Sequence, residues 1–203
     1  LFALTYLKQH NPEGLPLIGL HPGSSNSRNM DKKRWPLHSF AALTRRILSE
    51  KRMKFFVFGG PEEQELKKTL VAYIGPAADA VETDSLGETA ALISRCQRFI
   101  TNDSGLMHLA ASFGIKTCGI FGPTDDTRTA PFGKGHLIIR QDLDAPLAGQ
   151  FKMSVDVNSA KGGFPLFGES DSRIGLRENP EVAGTLSKID KLELVDFDFQ
   201  GGY

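Results

Sequence analysis

The sequence has few cysteines, no excess of charge of either sign and no long hydrophobic run, and each absence excludes a class of protein. Its two cysteines, Cys96 and Cys118, have neither a C-x-x-C spacing nor neighbouring histidines, so neither a zinc site nor a disulfide framework is predicted. We expect two buried, reduced thiols of a cytosolic protein. Lys+Arg and Asp+Glu number 24 each, so no net charge draws the chain onto nucleic acid. No apolar run approaches the ~20 residues that span a bilayer, and no basic signal-peptide segment opens the chain.

The balanced charge is unevenly distributed along the chain. Residues 1–140 carry 18 basic and 13 acidic side chains, whereas residues 141–203 carry 6 and 11. The second segment also contains 8 glycines and lacks a clear strand–helix alternation. We therefore predict a domain over 1–140 and an irregular acidic tail of unknown role over 141–203, with a short helix near 182–189 and a strand near 192–195.

Residues 1–140 alternate between short apolar runs and amphipathic segments. The apolar runs predict strands at 17–20, 55–58, 98–101, 116–121 and 136–139. The helices are expected over 1–9, 37–50, 61–74 and 105–113, with another after the capping-box spacing of Ser85–Glu88. Strands that are apolar throughout and separated by helices indicate a parallel sheet covered on both faces. The predicted fold is a Rossmann-like αβα sandwich.

The segment after the third predicted strand has the residues of an anion-binding turn. Asp103 or Ser104 can cap the following helix, whose first backbone N–H groups then point into the crevice at the sheet edge. Gly105 lets an anion approach the backbone, and His108 lies one turn after Ser104 on the same helix face. This spacing fits a diphosphate cradle. It fits equally a helix that Asp103 or Ser104 only caps, with His108 in the core.

The segment after the first predicted strand is rich in small hydroxyl residues and then in basic ones. Ser24 and Ser25 lie in a loop whose backbone amides can contact phosphate. Lys33 belongs to the basic run 28–34 and can neutralise charge that develops on a leaving diphosphate. The same pattern also suits a solvated charged loop whose end packs through Trp35.

Two carboxylates, Glu62 and Glu63, open the helix expected over 61–74. A carboxylate there can hold ribose hydroxyls, or it can be favourable charge at a helix start. Asp125 and Asp126 are adjacent loop acids of the kind that is usually solvated, so no metal site is predicted. The sequence lacks G-x-G-x-x-G, G-x-x-x-x-G-K-[ST] and G-x-S-x-G, which argues against dinucleotide binding by that fingerprint, P-loop NTPases and α/β-hydrolases.

Five segments together resemble the C-terminal half of the heptosyltransferases of lipopolysaccharide core synthesis, glycosyltransferase family 9. They are His21–Ser25, Lys33–Pro36, Gly59–Glu63, Asn102–Ala111 and Phe121–Thr124. The resemblance implies a GT-B fold, in which two Rossmann-like domains face each other and the C-terminal one binds the nucleotide-sugar donor. It also implies inverting, metal-independent transfer of heptose from ADP-heptose, with no cofactor.

The resemblance implies roles for particular residues. Those expected to hold the donor phosphates are Ser24, Ser25, Asp103, Ser104, Gly105 and His108. Lys33 resembles the cation near the leaving diphosphate, and Glu63, less securely Glu62, resembles the partner of the ribose. No residue of this chain matches the family's general base, which is expected in the N-terminal half.

A chain that begins at Leu1 and matches only the donor half is expected to be a piece of a longer enzyme. Such a piece is expected to bind donor but to transfer sugar poorly. The implied acceptor is the lipopolysaccharide core or a lipid A precursor. The implied location is cytoplasmic, with peripheral contact to the inner membrane through the other half.

The residues leave two other functions open. A non-catalytic nucleotide- or partner-binding module of the same fold would need no base and no acceptor. A sugar-nucleotide enzyme such as an epimerase on the same scaffold would need carboxylates from a complete two-domain chain.

Overall fold

Helices and strands alternate along most of the chain. The computed structural model of the protein describes residues 2–24, 34–122, 126–142, 151–157 and 174–178. The helices are α1 (Phe2–His10), α2 (Leu37–Glu50), α3 (Gln64–Ile74), α4 (Leu86–Ile93), α5 (Gly105–Ser112) and α6 (Asp126–Thr129), and a 3₁₀ turn (Pro61–Glu63) precedes α3. The strands are β1 (Leu17–His21), β2 (Lys54–Val57), β3 (Ala78–Ala80), β4 (Arg98–Asn102), β5 (Lys116–Phe121), β6 (Leu137–Asp142), β7 (Phe151–Val157) and β8 (Ile174–Glu178).

The strands form a single sheet in the order β3-β2-β1-β4-β5-β6-β7-β8. β1 to β6 pair in parallel with one another, whereas β7 is antiparallel to both β6 and β8. In the parallel part the strand order reverses between β1 and β4, which is the topological switch point of a doubly wound sheet. The predicted Rossmann-like αβα sandwich is confirmed.

Each face of the parallel sheet has its own apolar core. Leu20 and Val57 pack on the face that α2 and α3 cover. Phe56, Phe58 and Phe99 pack on the opposite face, against α1, α4 and α5. Because both faces are buried, the strands need no polar alternation, and this explains their uniformly apolar sequences.

The two cysteines lie on opposite faces of this sheet. Cys118 belongs to the cluster that contains α2 and α3, and Cys96 belongs to the cluster that contains α1, α4 and α5. Both are buried free thiols, as predicted. Burial raises the pKa of Cys96 far above its ordinary value and that of Cys118 to about 12. Neither is therefore a reactive thiolate at neutral pH.

Side-chain caps begin α4 and α5, as the spacing of the sequence predicts. Ser85 Oγ accepts the backbone N–H of Glu88 at 3.2 Å, and Ser104 Oγ accepts that of Met107 at 3.3 Å. Gly114 follows α5 with φ of 72°, a conformation that a glycine adopts without steric cost. These local signals fix where α5 begins and ends, and hence where its free amides lie.

Some observed elements were not predicted. β3 is a three-residue strand without an apolar run, and α6 is a single turn. β6 continues to Asp142, and β7 and β8 lie in the segment 141–203, where no strand was predicted before residue 192. The helix near 182–189 and the strand near 192–195 lie outside the described residues, and the division at residue 140 stays a prediction.

No helix in the part of the chain that the structure describes is long and apolar enough to cross a bilayer.

Candidate functional site

A cleft of about 860 Å³ opens beside the switch point, at the carboxyl ends of β1 to β4. Its walls are the turn after β2 (Gly59–Gln64), the loop after β3 (Glu82–Leu86) and the start of α5, together with His21 and Ser24 after β1. In open α/β sheets, ligands bind in the crevice outside the carboxyl ends of the strands at this point. The cleft therefore lies where the fold class binds its ligands.

The start of α5 presents three chemically different groups to the cleft. Ser104 caps the helix, Gly105 is exposed with open space around its Cα atom, and His108 is exposed one turn further along. All three line the cleft. The first amides of a helix carry partial positive charge and bind anions. The structure thus brings together the hydroxyl, amides and imidazole that the sequence placed there, and His108 is not a core residue.

His21, at the end of β1, connects two of these walls. It is 4% exposed, with Nε2 3.1 Å from Glu63 Oε2 and Nδ1 3.0 Å from Ser104 Oγ. Thr101 Oγ1 lies 3.1 Å from the same Ser104 oxygen. The imidazole was not predicted as a site residue. Its position directly after a strand was the available signal, but its partners are 42 and 83 positions away.

The Glu63 carboxylate faces the interior of the protein. It is 4% exposed, and Oε2 also accepts the backbone N–H of Gly60 at 2.9 Å. Burial opposes ionisation, but the hydrogen bond and charge of His21, the Gly60 N–H and the Arg34 guanidinium together hold the pKa of Glu63 below its usual value. A Cβ atom on Gly23 would lie 1.7 Å from Glu63 Oε1, so any other residue there would displace the carboxylate. By contrast, Glu62 is exposed and lines the cleft.

Arg34 ties the loop after β1 to this carboxylate. Its Nε donates to Ser24 Oγ at 3.1 Å, its Nη2 donates to the Ser24 carbonyl at 2.8 Å, and Nη2 lies 4.0 Å from Glu63 Oε1. Ser24 is buried but still reaches the cleft. The predicted residues Ser25 and Lys33 lie outside the described residues.

Asn102, at the end of β4, is hydrogen-bonded to both ends of the loop between β1 and α2. It is fully buried; its Nδ2 donates to the Pro22 carbonyl at 2.7 Å, and its Oδ1 accepts the Trp35 N–H at 2.9 Å. Asp103 is also buried, and its backbone N–H donates to the Ile120 carbonyl at 3.1 Å. Asn102 belonged to the motif read from the sequence, but no role had been assigned to it.

The wall formed by α3 and the loop after β3 was not anticipated. The buried Lys67 donates to the Val81 carbonyl at 2.6 Å and lies 3.2 Å from Glu82 Oε1, while Gln64 donates to Glu82 Oε2 at 2.7 Å. Partial burial opposes ionisation of Glu82, but Gln64 and Lys67 hold its pKa below the usual value. The capping box at Ser85 was a signal for this wall, but β3 went unpredicted and so its carboxyl end was not considered.

Within the described ranges, no group of three or more His, Cys, Asp or Glu side chains is arranged to hold a metal ion.

The fold and the cleft together define a doubly wound α/β domain with the N-terminus of α5 exposed in a cleft at its switch point. The family model of glycosyltransferase family 9 (heptosyltransferase) matches residues 3–153. The chain belongs to this family. The resemblance drawn from the sequence motifs is confirmed, and with it the GT-B fold class.

Individual relatives agree with this assignment. Lipopolysaccharide heptosyltransferase 2 of Salmonella typhimurium is 31% identical over 130 residues, which are 62% of this chain and 36% of that protein. The structure of a family 9 glycosyl transferase from Veillonella parvula is 28% identical with a TM-score of 0.57, over 68% of this chain and 40% of that one. The E. coli heptosyltransferase solved with ADP-2-deoxy-2-fluoro heptose is 25% identical with a TM-score of 0.50, over 69% and 41%. The chain thus spans less than half the length of these relatives.

Proposed function

We propose that this chain is the donor-binding half of a heptosyltransferase, which transfers heptose from ADP-heptose to a lipopolysaccharide core acceptor with inversion and without a metal. The observation that carries the proposal is the start of α5, where Ser104, Gly105 and His108 line a cleft at the switch point of a family 9 domain. The acceptor site and the general base then come from the part of the relatives that this chain does not match.

The two donor phosphates are held at the start of α5. The backbone amides after Ser104 and the imidazole of His108 supply hydrogen bonds and positive charge, and Gly105 leaves the backbone open to a phosphate oxygen. Asp103 holds the turn in place from its buried position. Ser24 adds a phosphate contact from the loop after β1. The family resemblance assigns Ser25 to the same contacts and Lys33 to neutralising the leaving diphosphate.

The nucleoside occupies the cleft between the turn after β2 and the loop after β3. The family resemblance assigns the ribose contact to Glu63, with Glu62 as the alternative. The geometry favours Glu62 for direct contact, because Glu62 is exposed in the cleft whereas the Glu63 oxygens already meet His21, Gly60 and Arg34. An ADP-sugar donor is supported by the relative that was solved with an ADP-heptose analogue.

The reaction is a direct displacement at the anomeric carbon of the donor. The oxygen of an acceptor hydroxyl forms the new bond as the bond to the diphosphate oxygen breaks. The hydroxyl proton passes to the general base, and the leaving ADP takes the electron pair. Preorganised positive groups stabilise the negative charge that develops on the leaving diphosphate, and they do so best in a site shielded from water. A lipid-linked acceptor places the enzyme in the cytoplasm, at the surface of the inner membrane.

The proposal is tested by calorimetric titration of this protein with ADP, UDP and GDP. We expect ADP to bind most tightly. His108→Ala is expected to weaken ADP binding by about tenfold or more, because a hydrogen bond to a charged group contributes about 1.5–3 kcal/mol. His38→Ala, at an exposed position on α2, is the matched control and should bind as the wild type does. Binding of none of the three nucleotides, or equal binding of all, would contradict the proposal.

A further inference from the structure

Three side chains form a continuous hydrogen-bonded chain from the interior to the cleft. Glu63 Oε2 lies 3.1 Å from His21 Nε2, and His21 Nδ1 lies 3.0 Å from Ser104 Oγ. Glu63 and His21 are both buried, whereas Ser104 lines the cleft. The imidazole therefore joins a buried carboxylate to the hydroxyl at the start of α5.

The neighbours of Glu63 determine whether its carboxyl group, the buried end of the hydrogen-bonded series, carries a proton. Gly60 N–H donates to the oxygen that also faces His21, and the pKa of Glu63 lies below its usual value. The carboxylate is therefore ionised and can only accept. His21 Nε2 must carry a proton, and the state of Nδ1 is the remaining variable.

The state of His21 Nδ1 decides where the Ser104 hydroxyl donates. An unprotonated Nδ1, which lies 3.0 Å from Ser104 Oγ, accepts the hydroxyl proton, and the O–H bond then points away from the cleft. A protonated Nδ1 donates to Ser104 Oγ instead, which frees the hydroxyl proton. Thr101 Oγ1 already donates to the Asn102 carbonyl at 2.7 Å, so towards Ser104 Oγ, 3.1 Å away, it can only accept. The freed hydroxyl proton can then go to Thr101 Oγ1 or to a phosphate oxygen, and the charged phosphate oxygen is the stronger acceptor. A phosphate oxygen in the cleft needs a donor and thus favours the protonated imidazole.

We propose that His21 is a positioning residue that acts through Ser104, and that binding of a nucleoside diphosphate is coupled to uptake of one solvent proton at His21 Nδ1. The inference rests on the proposed function, because it needs a diphosphate at the start of α5. In this step the N–H bond of His21 Nδ1 forms as hydronium or a buffer acid gives up the proton. By linkage, a ligand that favours the protonated form binds more weakly as rising pH removes that proton.

Several charged groups from other elements surround the hydrogen-bonded side chains of Glu63, His21 and Ser104. Arg34 lies 4.0 Å from Glu63 Oε1, Asp103 is buried at the end of β4, and Lys67 extends from α3 to the loop after β3. His108 lines the same cleft from α5. Because imidazoles are the side chains that change charge near neutral pH, the experiment must separate the two histidines.

The test is a titration of ¹⁵N-labelled histidines by long-range ¹H–¹⁵N spectroscopy, with and without saturating ADP. The five histidine signals are assigned by single substitution. We expect free His21 at high pH to carry its proton on Nε2, and ADP to move the His21 titration upward by about one pH unit, equivalent to about tenfold in affinity. If calorimetry shows that ADP binds but the His21 titration does not move, the coupling of binding to proton uptake is overturned and the proposed function is not. Absence of ADP binding overturns the proposed function as well.

His21→Asn provides a second readout. Its amide replaces Nδ1 as a partner of Ser104 but does not titrate. Proton uptake on ADP binding, measured in buffers of different ionisation enthalpy, should fall by up to about one proton. The control, His38→Asn, should leave proton uptake unchanged, and unchanged uptake in His21→Asn contradicts the proposal. If His21→Asn does not fold, Glu63→Gln replaces it: loss of the carboxylate must move the His21 titration downward in the same spectra, and an unmoved titration overturns the proposal.

Discussion

His136 shows how the surroundings of one buried residue set its protonation. Its Nδ1 accepts the Thr117 N–H at 3.3 Å, and its Nε2 donates to the Phe132 carbonyl at 3.2 Å. Burial lowers the pKa of His136, and the bond to the Phe132 carbonyl only partly opposes this. The folded protein therefore keeps this imidazole neutral, because a second proton on Nδ1 would remove the acceptor for Thr117.

We predict that stability falls as the pH drops below about 6.5, the ordinary pKa of an imidazole. The pKa of His136 is lowered in the folded state, so the unfolded chain binds the proton first and the stabilisation present above that pH is lost below it. Urea denaturation at about pH 7.5 and 5.5 measures the difference in free energy of unfolding. His136→Gln should show a smaller difference than the wild type, and an equal difference in both would refute the assignment.

At the scale of elements, α5 both supports the fold and forms the site. Met107 and Ala110 pack into the core, while Ser104, Gly105 and His108 face the cleft. The amphipathic spacing decides the packing face, and the cap decides where the free amides lie. Stability therefore depends on the core-packing residues of α5, and the proposed ligand binding on Gly105 and His108, whereas Ser104 both caps the helix and lines the cleft.

Gly105→Ala should separate these two properties. The added Cβ meets nothing within 4 Å, so we expect the free energy of unfolding to stay the same or to rise slightly. Bound ADP would then meet a methyl group beside its phosphates, and affinity should fall by about tenfold or more. Gly87→Ala, on α4 outside the cleft lining, is the control and should not change ADP affinity. Equal affinity of Gly105→Ala and the wild type would remove α5 from the site.

At the scale of the whole molecule, the parallel sheet brings four loops to one edge. β1, β2, β3 and β4 are neighbours in the sheet, and the segments that follow them line the cleft. The chain nevertheless spans 36% of the length of the Salmonella relative. Under the proposed function, the acceptor site belongs to the part of the relatives that this chain does not match.

In an enzyme that contains the acceptor-binding half, Lys33→Ala and His108→Ala should each lower the transfer rate by about 10²–10³, as expected for the loss of one electrostatic stabiliser. The measurement is kcat with ADP-heptose and a core acceptor, and His38→Ala is the control. Undiminished turnover in both variants would exclude them from stabilising the leaving diphosphate.

Most elements could be predicted from local patterns. The apolar runs at 17–20 and 116–121 became β1 and β5, and the Ser104 cap marked the start of α5. β3 could not be predicted because Ala78–Ala80 carries no apolar run and is held by its pairing with β2. β7 likewise depends on an antiparallel partner, which strand–helix alternation does not reveal.

The sequence alone determined the fold class, the family and the capped turn that begins α5, because periodicity, helix caps and short motifs act over a few neighbouring residues. Only the tertiary structure decided that Glu63 faces His21, that Asn102 joins the end of β4 to both ends of the loop between β1 and α2, and that the loop after β3 forms a wall of the cleft. Those contacts join residues far apart in the chain, and sheet pairing, not local preference, sets their distances.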